Sequence, residues 1–154
     1  MANTCFVTIT VKCDGREELE RLHSHLENEI READTVSRGL CLGSDRCLFD
    51  EDMELVDDEL KINGCVKWGY DDDEVVALLN YLKGIAAVSR LKLEYEELGC
   101  CVFGFYLYEN GVLEDHYIPC SDFPDCGGDS YYDELERILE EDGTVNVILA
   151  DKAA

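Results

Sequence analysis

The sequence predicts an α+β fold built on an antiparallel sheet, and two observations predict it. Apolar residues recur with period two in several short runs and with spacings of three and four in three longer ones, and the two kinds of segment are interleaved along 154 residues. The chain also carries 46% hydrophobic and 9% aromatic residues, and a domain near this length buries roughly 70% of its unfolded surface. A packed core is therefore expected despite 13 basic against 36 acidic side chains, a formal charge of −23.

Taken in order, residues 4–12 place Cys5, Val7, Ile9 and Val11 on one face and Phe6, Thr8 and Thr10 on the other, which is a half-buried strand. Leu19, Leu22, Leu26 and Ile30 mark an amphipathic helix, with Asp14 as its expected N-cap and Glu17 three residues on. Residues 35–45, with Gly39 and Gly43, read as a loop. Two strands are expected in residues 47–56, with Phe49, Met53 and Leu55 on one side, and 60–70, marked by Leu60, Ile62, Val66 and Trp68. Asp57, Asp58 and Glu59 form the turn between them.

Asp71, Asp72 and Asp73 then supply an N-cap and an acidic first turn for a second helix, whose stripe is Val75, Leu78, Leu79, Leu82 and Ile85. Leu91, Leu93 and Tyr95 alternate with charged residues in a short strand. Residues 101–108 are apolar almost throughout, as in a strand covered on both faces, and Asn110-Gly111 is the strongest hairpin signal in the chain. After a return strand (112–119) and a loop (121–128), Ser130 opens a third helix carrying Leu135, Ile138 and Leu139. Gly143 ends it, and Val145, Val147 and Leu149 close the chain as a strand.

The first six elements, strand-helix-strand-strand-helix-strand, form the ferredoxin-like arrangement, an antiparallel sheet with helices on one face. A C-terminal hairpin, helix and strand extend it. No linker or composition shift divides the chain, so residues 1–154 are expected to form a single domain with an extension from about residue 119.

Four stretches carry a family resemblance: NTCFVTIT (residues 3–10), INGCVKWGY (62–70), LKLEYEELG (91–99) and FGFYLYENGVL (103–113). They resemble the YubB-type ferredoxin-like domain of plasmid- and phage-encoded proteins. In that family a tryptophan-containing strand leads into a helix, a Tyr-Glu-Glu-x-Gly segment, an aromatic strand and a Glu-Asn-Gly turn. The resemblance covers residues 3–118 and implies a ferredoxin-like fold and an origin on a mobile element. It implies no catalytic residues. This chain lacks the proline that often follows the family's tryptophan, and residues 119–154 fall outside the pattern.

Motif chemistry points away from catalysis and cofactors. Cys41 and Cys47, like Cys120 and Cys126, are separated by five residues, and no CxxC pair exists to start a zinc site. His23 and His25 lie two apart on a helix and so do not share a face. Cys100 or Cys101 with His116 would make a nucleophile and base, yet nothing supplies an orienting third group. Neither Asp50, Asp52 and Glu54 nor the acidic stretch 125–133 fits the twelve-residue calcium loop, and Gly127-Gly128 lacks the lysine and hydroxyl of a phosphate loop. The nine cysteines read mostly as small buried apolar side chains. With no leader-like start and no apolar stretch of roughly 18 residues, a reducing cytoplasm is expected.

Charge is what remains. Seven of the ten residues 50–59 are acidic, Asp50, Glu51, Asp52, Glu54, Asp57, Asp58 and Glu59, and Asp71, Asp72, Asp73 and Glu74 follow. Alternate residues of a strand project to one face roughly 6–7 Å apart, so an acidic edge can imitate a row of phosphates. Such a surface argues against direct nucleic-acid or membrane binding and favours a basic partner. The leading expectation is a non-enzymatic cytoplasmic protein that inhibits a basic, nucleic-acid-handling host defence protein by DNA mimicry, as an antirestriction or anti-CRISPR protein would. The alternative is an accessory or regulatory module that binds a peptide or small ligand through an aromatic sheet bearing Trp68, Tyr70, Phe105 and Tyr106. Much of the acidity also serves solubility and helix capping.

Overall fold

A computed structural model describes residues 4–34, 41–42, 47–125 and 130–150. The elements are β1 (Thr4–Cys13), α1 (Arg16–Asp34), β2 (Phe49–Val56), β3 (Glu59–Lys67), α2 (Asp72–Lys83), β4 (Val88–Glu97), β5 (Val102–Glu109), β6 (Val112–Tyr117), α3 (Tyr131–Asp142) and β7 (Thr144–Ala150). The seven strands form a sheet in the order β2-β3-β1-β4-β5-β6-β7, antiparallel at every pairing. The α+β class is as expected.

Period-two alternation decides the inner face. Cys5, Val7, Ile9 and Val11 of β1 stand beside Leu60, Ile62 and Val66 of β3 and Leu91 and Leu93 of β4, all shut from solvent. Leu19, Leu22 and Leu26 of α1 and Val75, Leu78, Leu79 and Leu82 of α2 pack on them. Each such side chain contributes about 1.5–3 kcal/mol on burial, so this layer is the main source of stability. Helix α2 starts as expected: the Asp71 carboxylate accepts from the Glu74 amide at 2.8 Å, and Glu74 accepts from the Asp71 amide at 3.2 Å. Asn110 (φ 55°) and Gly111 (φ 78°) make the tight turn between β5 and β6.

Several expectations are corrected. Helix α1 begins at Arg16, two residues beyond Asp14, with Gly15 turning the chain at φ 99° and the Asp14 amide donating to the Ala87 carbonyl at 2.8 Å. A register shift between Phe49 and Asp52 puts Phe49 opposite Cys65, on the other face from Met53 and Leu55. Ser130 precedes α3 but its side chain makes no capping hydrogen bond. Strand β5 is not equally covered: Gly104, Tyr106 and Tyr108 are buried on the inner face, while Phe103, Phe105 and Leu107 are half-buried on the outer. Helix α3 lies on that outer face, seated by Leu135 and Ile138 on Ile118 and Phe103, so only α1 and α2 share a face. Cys41 and Cys47 form a disulfide, contrary to the expectation of reduced thiols. Gly39, Gly43 and Cys126 lie outside the described residues.

Candidate functional site: an aromatic cleft on the outer face

The sheet register divides the outer face into two halves of different chemistry. Toward the β2–β3 and β5–β6 turns, charges pair across strands: Arg90 with Glu109 at 2.8 Å, Lys12 with Glu59 at 3.3 Å, and Glu54 directly opposite Lys61. Toward the other end the rows become aromatic. One runs through His116, Phe105, Glu94, Thr8 and Asn63, the next through Phe103, Glu96 and Phe6. Between these rows and α3 opens a cleft of about 750 Å³. Its floor is Phe6, Phe103, Phe105 and His116, and its wall on α3 is Tyr132, Glu136, Leu139 and Glu140, with Gly143 and Val145 following. That volume lies within the roughly 300–1,000 Å³ range of small-ligand sites.

Phe105 is the centre of the floor. His116 stacks on one side of its ring at 4.6 Å between centroids, and the Lys92 ammonium lies 4.6 Å from the same centroid. Carboxylates outnumber that cation around the cleft: Glu94, Glu96, Glu136 and Glu140. Burial pushes the Glu96 carboxyl above the usual range, opposed by a hydrogen bond from Tyr132 and reinforced by Glu94. The cleft therefore presents an apolar, π-rich floor and a negative rim.

Beneath the floor, on the inner face, lies a tyrosine–carboxylate network. Tyr95 donates to Asp115 at 2.7 Å and Tyr106 donates to Asp72 at 2.8 Å, with the two rings 5.4 Å apart. Tyr95 reaches from β4 across β5 to β6 only because residue 104 is glycine: a Cβ there would collide with the His116 carbonyl and stand 2.8 Å from the Tyr95 hydroxyl. Burial pushes the Asp115 carboxyl up to about 6; the Tyr95 hydrogen bond opposes this and the Asp72 charge adds to it. The same burial, with Asp115 beside both rings, holds both phenols well above their usual range.

The acidic residues singled out from the sequence lie on β2, on its turn to β3 and at the start of α2. Asp52 and Glu54 are exposed on β2, and Asp57 and Asp58 form its turn, where the Asp57 carbonyl accepts from Arg16 at 2.8 Å. Glu51 is half-buried, Glu59 holds Lys12, and the side chain of Asp50 lies outside the described residues. Asp71, Asp72, Asp73 and Glu74 follow the end of β3 away from the Asp57–Asp58 turn, and the start of β2 lies toward that same end, with Phe49 opposite Cys65 and Asp52 opposite Asn63. There Asp71 and Glu74 cap α2, and Asp72 accepts from Tyr106.

Of the four aromatic residues expected on a bare sheet, only Phe105 lines the cleft. Tyr106 points to the inner face and is buried, Tyr70 packs against the core, and Trp68 is 61% exposed beside the sheet end at φ 68°. Phe6 was legible on the second face of β1 from alternation alone, whereas Phe103 lay in a run apolar on both faces, and Tyr132, Glu136 and Glu140 were not legible because no local signal says which face α3 covers. Cys100 donates to Glu97 at 3.4 Å and that contact raises its pKa; burial pushes Cys5 and Cys13 up to about 11. A raised pKa favours the protonated thiol over the nucleophilic thiolate. His23 meets Glu27 at 3.2 Å and His25 edges onto Tyr81. Among the described residues no three His, Cys, Asp or Glu side chains are grouped as a metal ion would require, and no helix is long and apolar enough to cross a membrane.

No family model, curated protein or solved structure matches this chain.

Proposed function

We propose that this chain is a non-enzymatic binding protein whose working surface is the outer-face cleft, where it takes an apolar or aromatic group carrying positive charge. The observation that supports this is the Phe105 floor, flanked by His116 and Lys92 and rimmed by four carboxylates. A cationic ligand gains from the carboxylate rim and from the exposed ring of Phe6, since His116 and Lys92 already flank Phe105, while an anion meets like charge. The strand order β2-β3-β1-β4 with α1 and α2 on one face fits a ferredoxin-like unit, to which β5, β6, α3 and β7 add the second wall. Together with the sequence resemblance, this supports the reading that the chain is a cytoplasmic protein of a mobile element related to the YubB-type domain. The test is a nuclear magnetic resonance titration with phenethylammonium and, separately, phenylacetate. The cation is expected to shift the Phe105, His116 and Tyr132 ring signals at millimolar concentration. An equal response to the anion, or no localised response to either, overturns the reading.

One observation favours inhibition by DNA mimicry as a second reading: Asp52, Glu54, Asp57 and Asp58 stand exposed together along β2 and its turn. In that reading the partner is a basic nucleic-acid-handling protein of an antirestriction or anti-CRISPR target. Affinity then falls steeply with added salt and with neutralisation of those four residues.

A further inference from the structure

We propose that β7 is a pairing edge, on which an extended, positively charged segment of a partner protein adds as an eighth strand with alternate side chains on the cleft side. The proposal rests on the cleft reading above and names its partner and binding mode.

Both ends of the sheet are edge strands, and they are built differently. Strand β2 reads FDEDMELV, with four carboxylates in eight residues. Charges of that kind guard an edge against further pairing. Strand β7 reads TVNVILA, with no ionisable side chain. Among the described residues no strand pairs with its outer side. Its β-branched valines suit strand formation, and two of them stay in water: Val145 is 47% and Val147 62% exposed. An unguarded apolar edge of this length is a template for strand addition.

The register ties this edge to the cleft. Val145 stands opposite His116 and Val147 opposite Glu114, which puts both valines on the outer face, and Val145 itself lines the cleft. A strand added about 4.8 Å beyond β7 places every second side chain on that face. Those side chains meet the valines and the side of the cleft where Glu136 and Glu140 stand on α3. Charge selects the occupant: four carboxylates against Lys92 around the cleft, in a chain of net charge −23, attract a segment in which lysine or arginine alternates with apolar residues. A second copy of this chain would bring −23 against −23 and has no such complement.

The probe is a ten-residue peptide of alternating lysine and valine, compared with the same peptide N-methylated at every residue, which keeps charge and side chains but has no N–H on either edge with which to form the ladder. With the full chain, the unmethylated peptide is expected to slow hydrogen exchange of alternate β7 amides at least tenfold, and methylation to weaken binding at least tenfold. Val147→Lys is expected to weaken it similarly while leaving the urea midpoint unchanged. Equal affinity for the methylated peptide overturns the proposal. Ring shifts at Phe105 and His116 without protection in β7 overturn it too, but leave the cleft reading standing. Absence of binding by either peptide at millimolar concentration overturns the pairing, and the phenethylammonium titration then decides separately whether the cleft reading falls with it. Protection of the same amides that grows with protein concentration alone puts a second copy on the edge and overturns the basic partner.

Discussion

On the inner face of the sheet, Ile9, Ile62, Leu91 and Leu93 are shut from solvent beneath α1 and α2, whereas on the outer face Phe6 is 57% exposed and Phe105 stands half-buried in a cleft floor. The residues of these two surfaces alternate along the same strands. Burial at the centre of the inner face is complete because two amphipathic helices cover it. The outer face has one helix, displaced toward Ile118 and Phe103, and the aromatic rows beside it remain open. Apolar residues on the two faces therefore have different work: inside they hold the fold, and outside they are available to a ligand.

Substitution can break this contrast. Leu93→Ala is expected to cost about 2–5 kcal/mol of unfolding free energy, because it leaves a cavity among fully buried neighbours. Phe105→Ala, across the adjoining strand on the other face, is expected to cost about 1 kcal/mol while abolishing the response to phenethylammonium. Urea denaturation of both variants measures the difference, and equal losses would mean that the outer aromatics are core after all.

Asp115 sharpens the contrast through pH. Its folded pKa, about 6, lies above the ordinary 3.8, so the fold favours the protonated acid. Its contribution to stability is complete below about 4 and is lost as pH rises through about 6. Asp115→Asn keeps an acceptor for Tyr95 and removes the buried charge, so the variant is expected to exceed the wild type by about 2 kcal/mol at pH 7 and to match it at pH 4. Urea midpoints across that range read the gap, and a gap that does not change with pH sinks the assignment. Glu96, raised by the same cause, leaves a residual slope in the variant.

The smallest effect belongs to the exposed acidic edge. Asp52→Asn with Glu54→Gln is expected to change stability by no more than about 0.5 kcal/mol, since both side chains are in water. Binding of a lysine–valine peptide to this double variant is expected to be unchanged. A large loss would instead assign the basic partner to β2 and favour mimicry.

The elements were largely legible because each carries its own period. The β1 alternation, the α2 stripe with its Asp71 cap and the Asn110-Gly111 turn all formed where the residues predicted them. The errors arose where long-range contacts enter: the Asp14 amide donates to the Ala87 carbonyl, and the β2 register shift moves Phe49 to the other face. Of the site, Phe105 was anticipated, but its companions on α3 could not be.

The sequence by itself determined the α+β class, the approximate positions of strands and helices, and the two faces of regularly alternating strands such as β1, because these depend on periodicities within a few residues. Only the tertiary structure decided that α3 crosses to the outer face, that Gly104 lets Tyr95 reach Asp115, and that β7 ends the sheet as an uncharged edge beside an acidic cleft. Those outcomes depend on which surfaces meet across distant parts of the chain, and local propensity carries no information about that.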